Sequence, residues 1–183
     1  MFASPDWAEY VISQPLEAVP GELFDYSTGT TAVLAEIMAD ELGGPDELTE
    51  FIHTELMEPL GIESTTLVLD PTGQFAGGLG FDSTARDFAR FGYLFLRGGV
   101  WDGDQILSSD WIDYSATPSP TNPDYGAQWW LYGPPNTMLA SGLFGQNILV
   151  APDLDLVIVV TSTAGGEAWP ALMAVYDQFA ALG

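Results

Sequence analysis

From its N-terminus the chain sets short apolar helical faces between glycine- and proline-rich breaks. Ser4-Pro5-Asp6 carries a helix-start signature, with Ser4 as the capping hydroxyl and Pro5 in the first turn, and Pro15 closes that segment. The stretch "PGELFDYSTGTT", residues 20–31, leads into Val33, Leu34, Ile37, Met38 and Leu42. Their spacing of three and four is that of one helix face, and Gly43-Gly44 stops it. Pro45-Asp46 opens a further helix with Leu48, Phe51, Ile52 and Leu56 on one side, and "MEPLGIEST" breaks it. After the glycine-rich "GQFAGGLGF", Ser83 is placed to cap a helix that buries Ala85, Phe88, Ala89, Phe91, Leu94 and Phe95 and ends at Gly98-Gly99. "WDGDQIL" reads as a turn or short hairpin, Ser108-Ser109-Asp110 as the start of a short helix, and residues 118–124 as a loop.

From Tyr125 the pattern changes. "YGAQWWLYG" is aromatic and β-prone, "TMLASGLFGQNILVAP" reads as one or two strands with a glycine-rich interruption, and "PDLD" is a turn signal before the buried strand "LVIVVTST". Helical spacing returns at Leu172, Val175, Tyr176 and Phe179. Helices first, then an antiparallel meander closed by a helix, predict an α+β fold.

With 183 residues, 47% of them apolar and 13% aromatic, the chain can bury a core, which argues against disorder. Its charge narrows the range of partners. Against 26 acidic residues stand only Arg86, Arg90 and Arg97, for a formal net charge of −23 and no lysine. Nucleic acid and anionic membrane surfaces are repelled. No apolar run approaches the roughly 20 residues of a membrane span, and the N-terminus lacks the basic and apolar regions of a signal peptide. Such an acidic balance fits either an ordinary solvated surface or adaptation to high salt, where screening over a few ångströms removes self-repulsion.

Candidate chemistry is sparse. Without cysteine there is no thiolate, and with His53 alone no multi-imidazole zinc site can form, so neither cofactor nor metal is expected. A Ser-His-Asp triad would have to use His53, yet no G-x-S-x-G elbow is present to partner it. A phosphate loop of the G-x-x-x-x-G-K-[ST] type needs a lysine. Carboxylates are so abundant that any pair of them is uninformative. Two places remain. Tyr26-Ser27-Thr28 stands at a helix mouth, where free N–H groups and the positive dipole end favour a phenolate or an anion. Ala140-Ser141-Gly142 lies within a strand, where glycine admits a close approach and an edge N–H can face an oxyanion. Structural readings compete at each: Tyr26 as a core aromatic, Thr28 as an N-cap, Gly142 as a bulge.

Several segments resemble the serine β-lactamase-related family, which includes class C β-lactamases, DD-peptidases, related esterases and 6-aminohexanoate-dimer-type hydrolases. "PGELFDYST" with the helix behind it resembles the family's Y-x-N region, and "MEPLGIEST" its "PLGM.dT" segment. "GLGFDSTARDFARFGYLFLRGGVWDGDQILSSDWI" is the most specific match, and "YGAQWWL" and "GLFGQNILVAPDLDLVIVV" are similar to the next two blocks. The resemblance covers nearly the whole chain. It implies a serine acyl-enzyme mechanism, in which a Ser-x-x-Lys serine attacks a carbonyl while the lysine and a tyrosine manage its proton. By motif position Tyr26 matches that catalytic tyrosine, and Thr28 stands where asparagine is common. Ala140-Ser141-Gly142 stands at the third motif, which lines the facing strand and the oxyanion hole. Gln128, Trp129 and Trp130 are expected near the cleft, with Thr28, Trp130, Ser141 and Gly142 as substrate contacts.

Two departures bear on function. Ser-x-x-Lys cannot occur in a lysine-free chain, and only 25 residues precede Tyr26, where the family places that motif many tens of residues earlier. The expectation is that residues 1–183 form the C-terminal portion of one β-lactamase-like domain, lacking the N-terminal strands and nucleophile helix. Its partners would be a small ester or amide substrate and either the missing N-terminal portion or a second copy. Ala140 replaces a basic residue of the third motif, which points away from substrates with a free carboxylate. The alternative is a non-catalytic binding module on the same fold. Family members are often extracytoplasmic, but the sequence does not fix a compartment. If the charge reflects salt adaptation, the melting temperature should rise between low and molar NaCl; a flat or falling curve would exclude it.

Overall fold

The computed structural model describes residues 1–163 and 165–182, and Ala164 and Gly183 lie outside the described residues. The chain divides into two compact units, Met1–Ser83 and Thr84–Gly183. The elements are mixed helices and antiparallel strands, an α+β composition.

The first unit opens with α1 (Trp7–Ile12). Asp6, not Ser4, is its N-cap, with a side chain that accepts from the Glu9 N–H at 2.8 Å. Asp6 wins because it is the last extended residue, so its carboxylate faces the free N–H groups of the first turn. The helix stops at Ser13, short of Pro15. In α2 (Thr28–Leu42) Ser27 takes the capping role, accepting from the Gly29 N–H, and Thr28 is already helical, which corrects the N-cap reading of Thr28.

The larger correction in α2 is its buried face. Spacing predicts that Val33, Leu34, Ile37, Met38 and Leu42 turn inward. Instead Gly29, Ala32, Ala35 and Ala39 are buried, while Leu34, Ile37, Met38 and Leu42 are 38–53% exposed. Both stripes have helical period, and the small one wins because neighbouring backbone and side chains pack closely on it. A Cβ at Gly29 would sit 2.6 Å from Val11 Cγ2, and one at Gly77 2.6 Å from the Thr31 carbonyl. Ala35 and Ala39 pack with Leu48 of α3 (Pro45–Ile52), against Ile52 and Phe75. A π-helical segment, His53–Met57, carries α3 into the short α4 (Glu58–Leu60), and Gly61 ends it in a left-handed conformation. Strands β1 (Thr66–Leu67) and β2 (Phe81–Asp82) pair antiparallel.

Between them a tight loop is organised by a buried carboxylate. Asp70 accepts from the Thr72 hydroxyl at 2.5 Å, from the Thr72 and Gln74 N–H groups at 2.9 and 3.1 Å, and from the Trp7 N–H at 3.2 Å. The last bond ties the loop to the first turn of α1. Burial alone would raise the Asp70 pKa, but these donors outweigh it and hold the group below the usual range. Glu36 has the opposite sign: burial, then the carboxylates of Asp40, Asp6 and Asp70, raise its pKa, so its ionisation works against folding.

The second unit begins with α5 (Ala85–Leu96). Thr84, not Ser83, caps it, because Thr84 Oγ1 accepts from the Asp87 N–H while donating to the buried Asp87 carboxylate at 2.7 Å. Arg90 pairs with the same carboxylate. A tight hairpin, β3 (Val100–Trp101) and β4 (Asp104–Gln105), and then α6 (Ser109–Ser115), capped by Ser108, follow as predicted. "YGAQWWLYG" forms no continuous strand, only single bridges from Trp130 to Tyr125 and to Leu139. Gln128 with positive φ interrupts it.

The rest of the unit is a three-stranded antiparallel sheet of β5 (Met138–Gly142), β6 (Gln146–Ala151) and β7 (Leu156–Val160), with β6 central. Alternation along the strands divides it. Met138, Ile148 and Val150 face the α5 side with Phe95, Ile112 and Trp129, while Leu139, Leu149 and Ile158 pack with Leu172 of α7 (Ala168–Ala180). Leu139, Leu149 and Leu172 are fully buried, each side chain contributing about 1.5–3 kcal/mol. The α7 positions Val175 and Phe179, predicted apolar-in, are 40% and 48% exposed.

Asp70→Asn should cost about 1–3 kcal/mol of stability at neutral pH, since it discards an acceptor for buried donors. Because the folded pKa is depressed, the Asp70 contribution is complete above the unfolded value of about 3.9 and is lost as pH falls through the folded one. Urea denaturation of both proteins across pH should show a constant gap above about pH 5 that narrows below about pH 4; a gap independent of pH would refute it.

Candidate active site

In the first unit, Tyr26 stands two residues before α2 and is 56% exposed, so it is not a core aromatic. The Ser27 cap fixes the direction in which the chain enters the helix. Thr28 packs on the glycine-rich loop: a Cβ at Gly78 would lie 2.6 Å from both Thr28 Cγ2 and the Thr28 carbonyl. The "GGLGF" cluster therefore serves close approach to the first turn of α2. His53 is exposed in the π-helical segment and makes no side-chain hydrogen bond among the described residues, so it forms no Ser-His-Asp relay. Among the described residues no group of three or more His, Cys, Asp or Glu could hold a metal ion, and no helix is long and apolar enough to cross a membrane.

In the second unit, Trp129 and Trp130 part company. Trp129 is buried against Phe91 and Phe95, with ring centroids 6.2 and 4.6 Å away, which is a packing role. Trp130 packs on Tyr125 and Tyr132 at 4.8 and 5.3 Å, and its backbone exchanges two hydrogen bonds of 2.9 Å with Leu139. That bridge occupies the outer edge of β5 at Leu139. By the alternation of an antiparallel ladder, Ser141 turns its own N–H and C=O to the same edge, past the last bridge. Gly142 is no bulge: it is extended, at φ −108° and ψ 174°, and pairs in register with Gln146.

The side chain of Ser141 faces the α7 side, directly opposite Asn147. With Gly142, Gly145, Tyr132, Gly165 and Trp169 they line a pocket of about 390 Å³. Its floor depends on Gly145, where φ is 84° and a Cβ would lie 2.3 Å from Ala168 Cβ. Beside it Gln146 works as a clamp. Its side-chain amide donates to the Ser162 carbonyl, and its Oε1 accepts from the Ser162 N–H at 3.2 Å. The β7 end is thereby held to β6 beyond the last backbone pair.

The structure thus groups Ser141 and Gly142 in one pocket, with Trp130 on the adjoining bridge, while Tyr26 and Thr28 belong to the other unit. Sequence reasoning missed Asn147, Tyr132, Gly145 and Trp169. The available signal was "QNILVA", where two amides, Gln146 and Asn147, begin an otherwise apolar strand.

The family model described as Beta-lactamase matches residues 2–182. The chain belongs to the Beta-lactamase family. Among curated proteins it is 32% identical over 163 residues to the 6-aminohexanoate-dimer hydrolase of Paenarthrobacter ureafaciens, covering 80% of this chain and 40% of that protein. Among solved structures, a Bacillus anthracis protein carrying the same hydrolase name superimposes with a TM-score of 0.78 at 28% identity, covering 90% of this chain and 46% of that one. A beta-lactamase from Mycobacterium bovis gives 0.70 at 26% identity, covering 88% and 66%. The Beta-lactamase fold expected from the motifs is therefore the fold observed. The chain spans less than half the length of the two hydrolase-named relatives.

Proposed function

We propose that this chain is the C-terminal portion of a serine hydrolase that cleaves an ester or amide through an acyl-enzyme. The observation that carries the reading is the free edge of β5 at Ser141, at the family's third-motif position. The nucleophile and its lysine come from a Ser-x-x-Lys segment outside these residues. Its serine oxygen forms a bond to the substrate carbonyl carbon. Tyr26, exposed at the α2 mouth, takes the serine proton and passes it to the leaving nitrogen or oxygen as the C–N or C–O bond breaks. An N–H on the β5 edge stabilises the oxyanion, and water then releases the acyl group. Ala140 supplies no cation for a substrate carboxylate, which favours substrates without one.

A second reading, a non-catalytic binding module, is favoured by one observation: a lysine-free chain cannot hold the motif. Alone, the 183-residue chain should not react with a fluorophosphonate probe, and covalent labelling of it would overturn both readings. Extended by an in-frame upstream Ser-x-x-Lys segment, it should label and turn over. Tyr26→Phe should then lower kcat by about 100-fold or more, and an extended protein that stays unlabelled leaves the binding module.

The exposed Leu34, Ile37, Met38 and Leu42 of α2 supply an apolar face for the complementary segment or a second copy. Light scattering of the isolated chain at high concentration should report dimers or larger species; a clean monomer would remove that proposal.

A further inference from the structure

We infer that the outer edge of β7 is an interface between two copies of this chain, joined as an antiparallel β7–β7 pair that continues the sheet. The direction of the β7 backbone follows from its neighbours. Leu139 gives its N–H and C=O to Trp130, away from β6, so Met138, Ala140 and Gly142 bond inward. Carried across the register, Leu156, Ile158 and Val160 point their backbone groups at β6, and Val157 and Val159 point theirs out of the sheet. The Ser162 N–H reaches Gln146 on β6, which has the parity of Val160 and agrees. Among the described residues nothing donates to or accepts from the outward groups of Val157 and Val159.

Edge strands ordinarily carry a charge, a proline or a bulge that blocks further pairing. Leu156–Val160 has none of these: every residue is Leu, Ile or Val, and its ladder to β6 is unbroken. Both faces are packed, Val157 and Val159 on the α5 side and Leu156, Ile158 and Val160 on the α7 side. An aliphatic run packed on both faces is the composition of a sheet interior. A second copy fits the edge by register and by charge. With a two-fold axis at Ile158, Val157 stands opposite Val159 of the second copy, and each of the two symmetric pairs exchanges both backbone bonds. Leu156 then stands opposite Val160, apolar against apolar. No charged residue lies between Asp155 and Glu167, and Asp155 falls opposite Thr161, so a chain of net charge −23 brings no two carboxylates together along this ladder. The other strands offer no equal mate: Trp130 occupies the β5 edge at Leu139, and β3 and β4 have two residues each.

This pairing leaves the β5 edge at Ser141 untouched and needs no nucleophile, so it stands or falls apart from the hydrolase reading. It also uses none of the exposed α2 residues. The test is analytical ultracentrifugation of the 183-residue chain from low to molar NaCl, with backbone amide exchange followed by NMR at low and high protein concentration. Dimers should strengthen as salt screens the net charge. The Val157 and Val159 amides should exchange more slowly at the higher concentration, while those of Leu156, Ile158 and Val160, bonded to β6, stay protected throughout. Val159→Pro takes only an outward N–H from the strand and should weaken dimerisation by about tenfold or more. Ile37→Ser combined with Met38→Ser, on α2, should leave it unchanged. If Val159→Pro does not fold, the concentration dependence of the two amides decides alone. A monomer at every salt and protein concentration, dimers whose Val157 and Val159 amides exchange at an unchanged rate, or a folded Val159→Pro protein that dimerises like its parent would overturn the inference. Protection of both amides in a monomer, of this chain or of one extended upstream, would give the edge to another segment of the same protein and overturn it as well.

Discussion

The second unit depends on one constraint, the register of β5 against β6. Met138 opposite Val150 and Leu139 opposite Leu149 set which side chains meet α5 and which meet α7. A slip of one residue would exchange the two sets and turn every packed leucine to the wrong layer. The same register places Ser141 opposite Asn147. One step beyond the Leu139–Leu149 pair, the α7 face changes from apolar to polar at Ser141 and Asn147. The pocket is the place where the packing pattern stops while the pairing continues.

Beyond that step the sheet is held by a substitute for backbone. Gln146 presents an amide to Ser162 in the geometry of a peptide group, donating and accepting at once. It extends the β6–β7 contact past Val160 and anchors the chain as it leaves the sheet for α7. Gly145 lets the pocket wall lie close to Ala168, at the N-terminal end of α7.

Much of this was legible in the residues, and the failures have physical causes. Motif spacing gave the Beta-lactamase family, and turn chemistry gave the hairpin at residues 100–105, the Ser108 cap and the strands β5 to β7. Caps at Ser4, Thr28 and Ser83 were misplaced by one or two residues because adjacent hydroxyl and carboxylate groups compete, and backbone conformation chooses between them. "YGAQWWLYG" has strand composition, but a left-handed Gln128 breaks the run. Asn147 is not singled out by pattern because the adjacent amides Gln146 and Asn147 at a strand start give no periodic signal; its unmet oxygen exists only in three dimensions.

The packed side of α2 is made of side chains with one carbon or none. Its distance from the glycine-rich loop is therefore set by backbone thickness, and Gly29 makes room for the Val11 side chain of α1. In most cores a larger residue can be accommodated by trimming a neighbour. Toward the loop the neighbours are already Gly77 and Gly78, so nothing smaller remains there to compensate. Residue size along this helix is bounded on the alanine side by geometry and left open on the leucine side, the reverse of what hydrophobicity alone would assign.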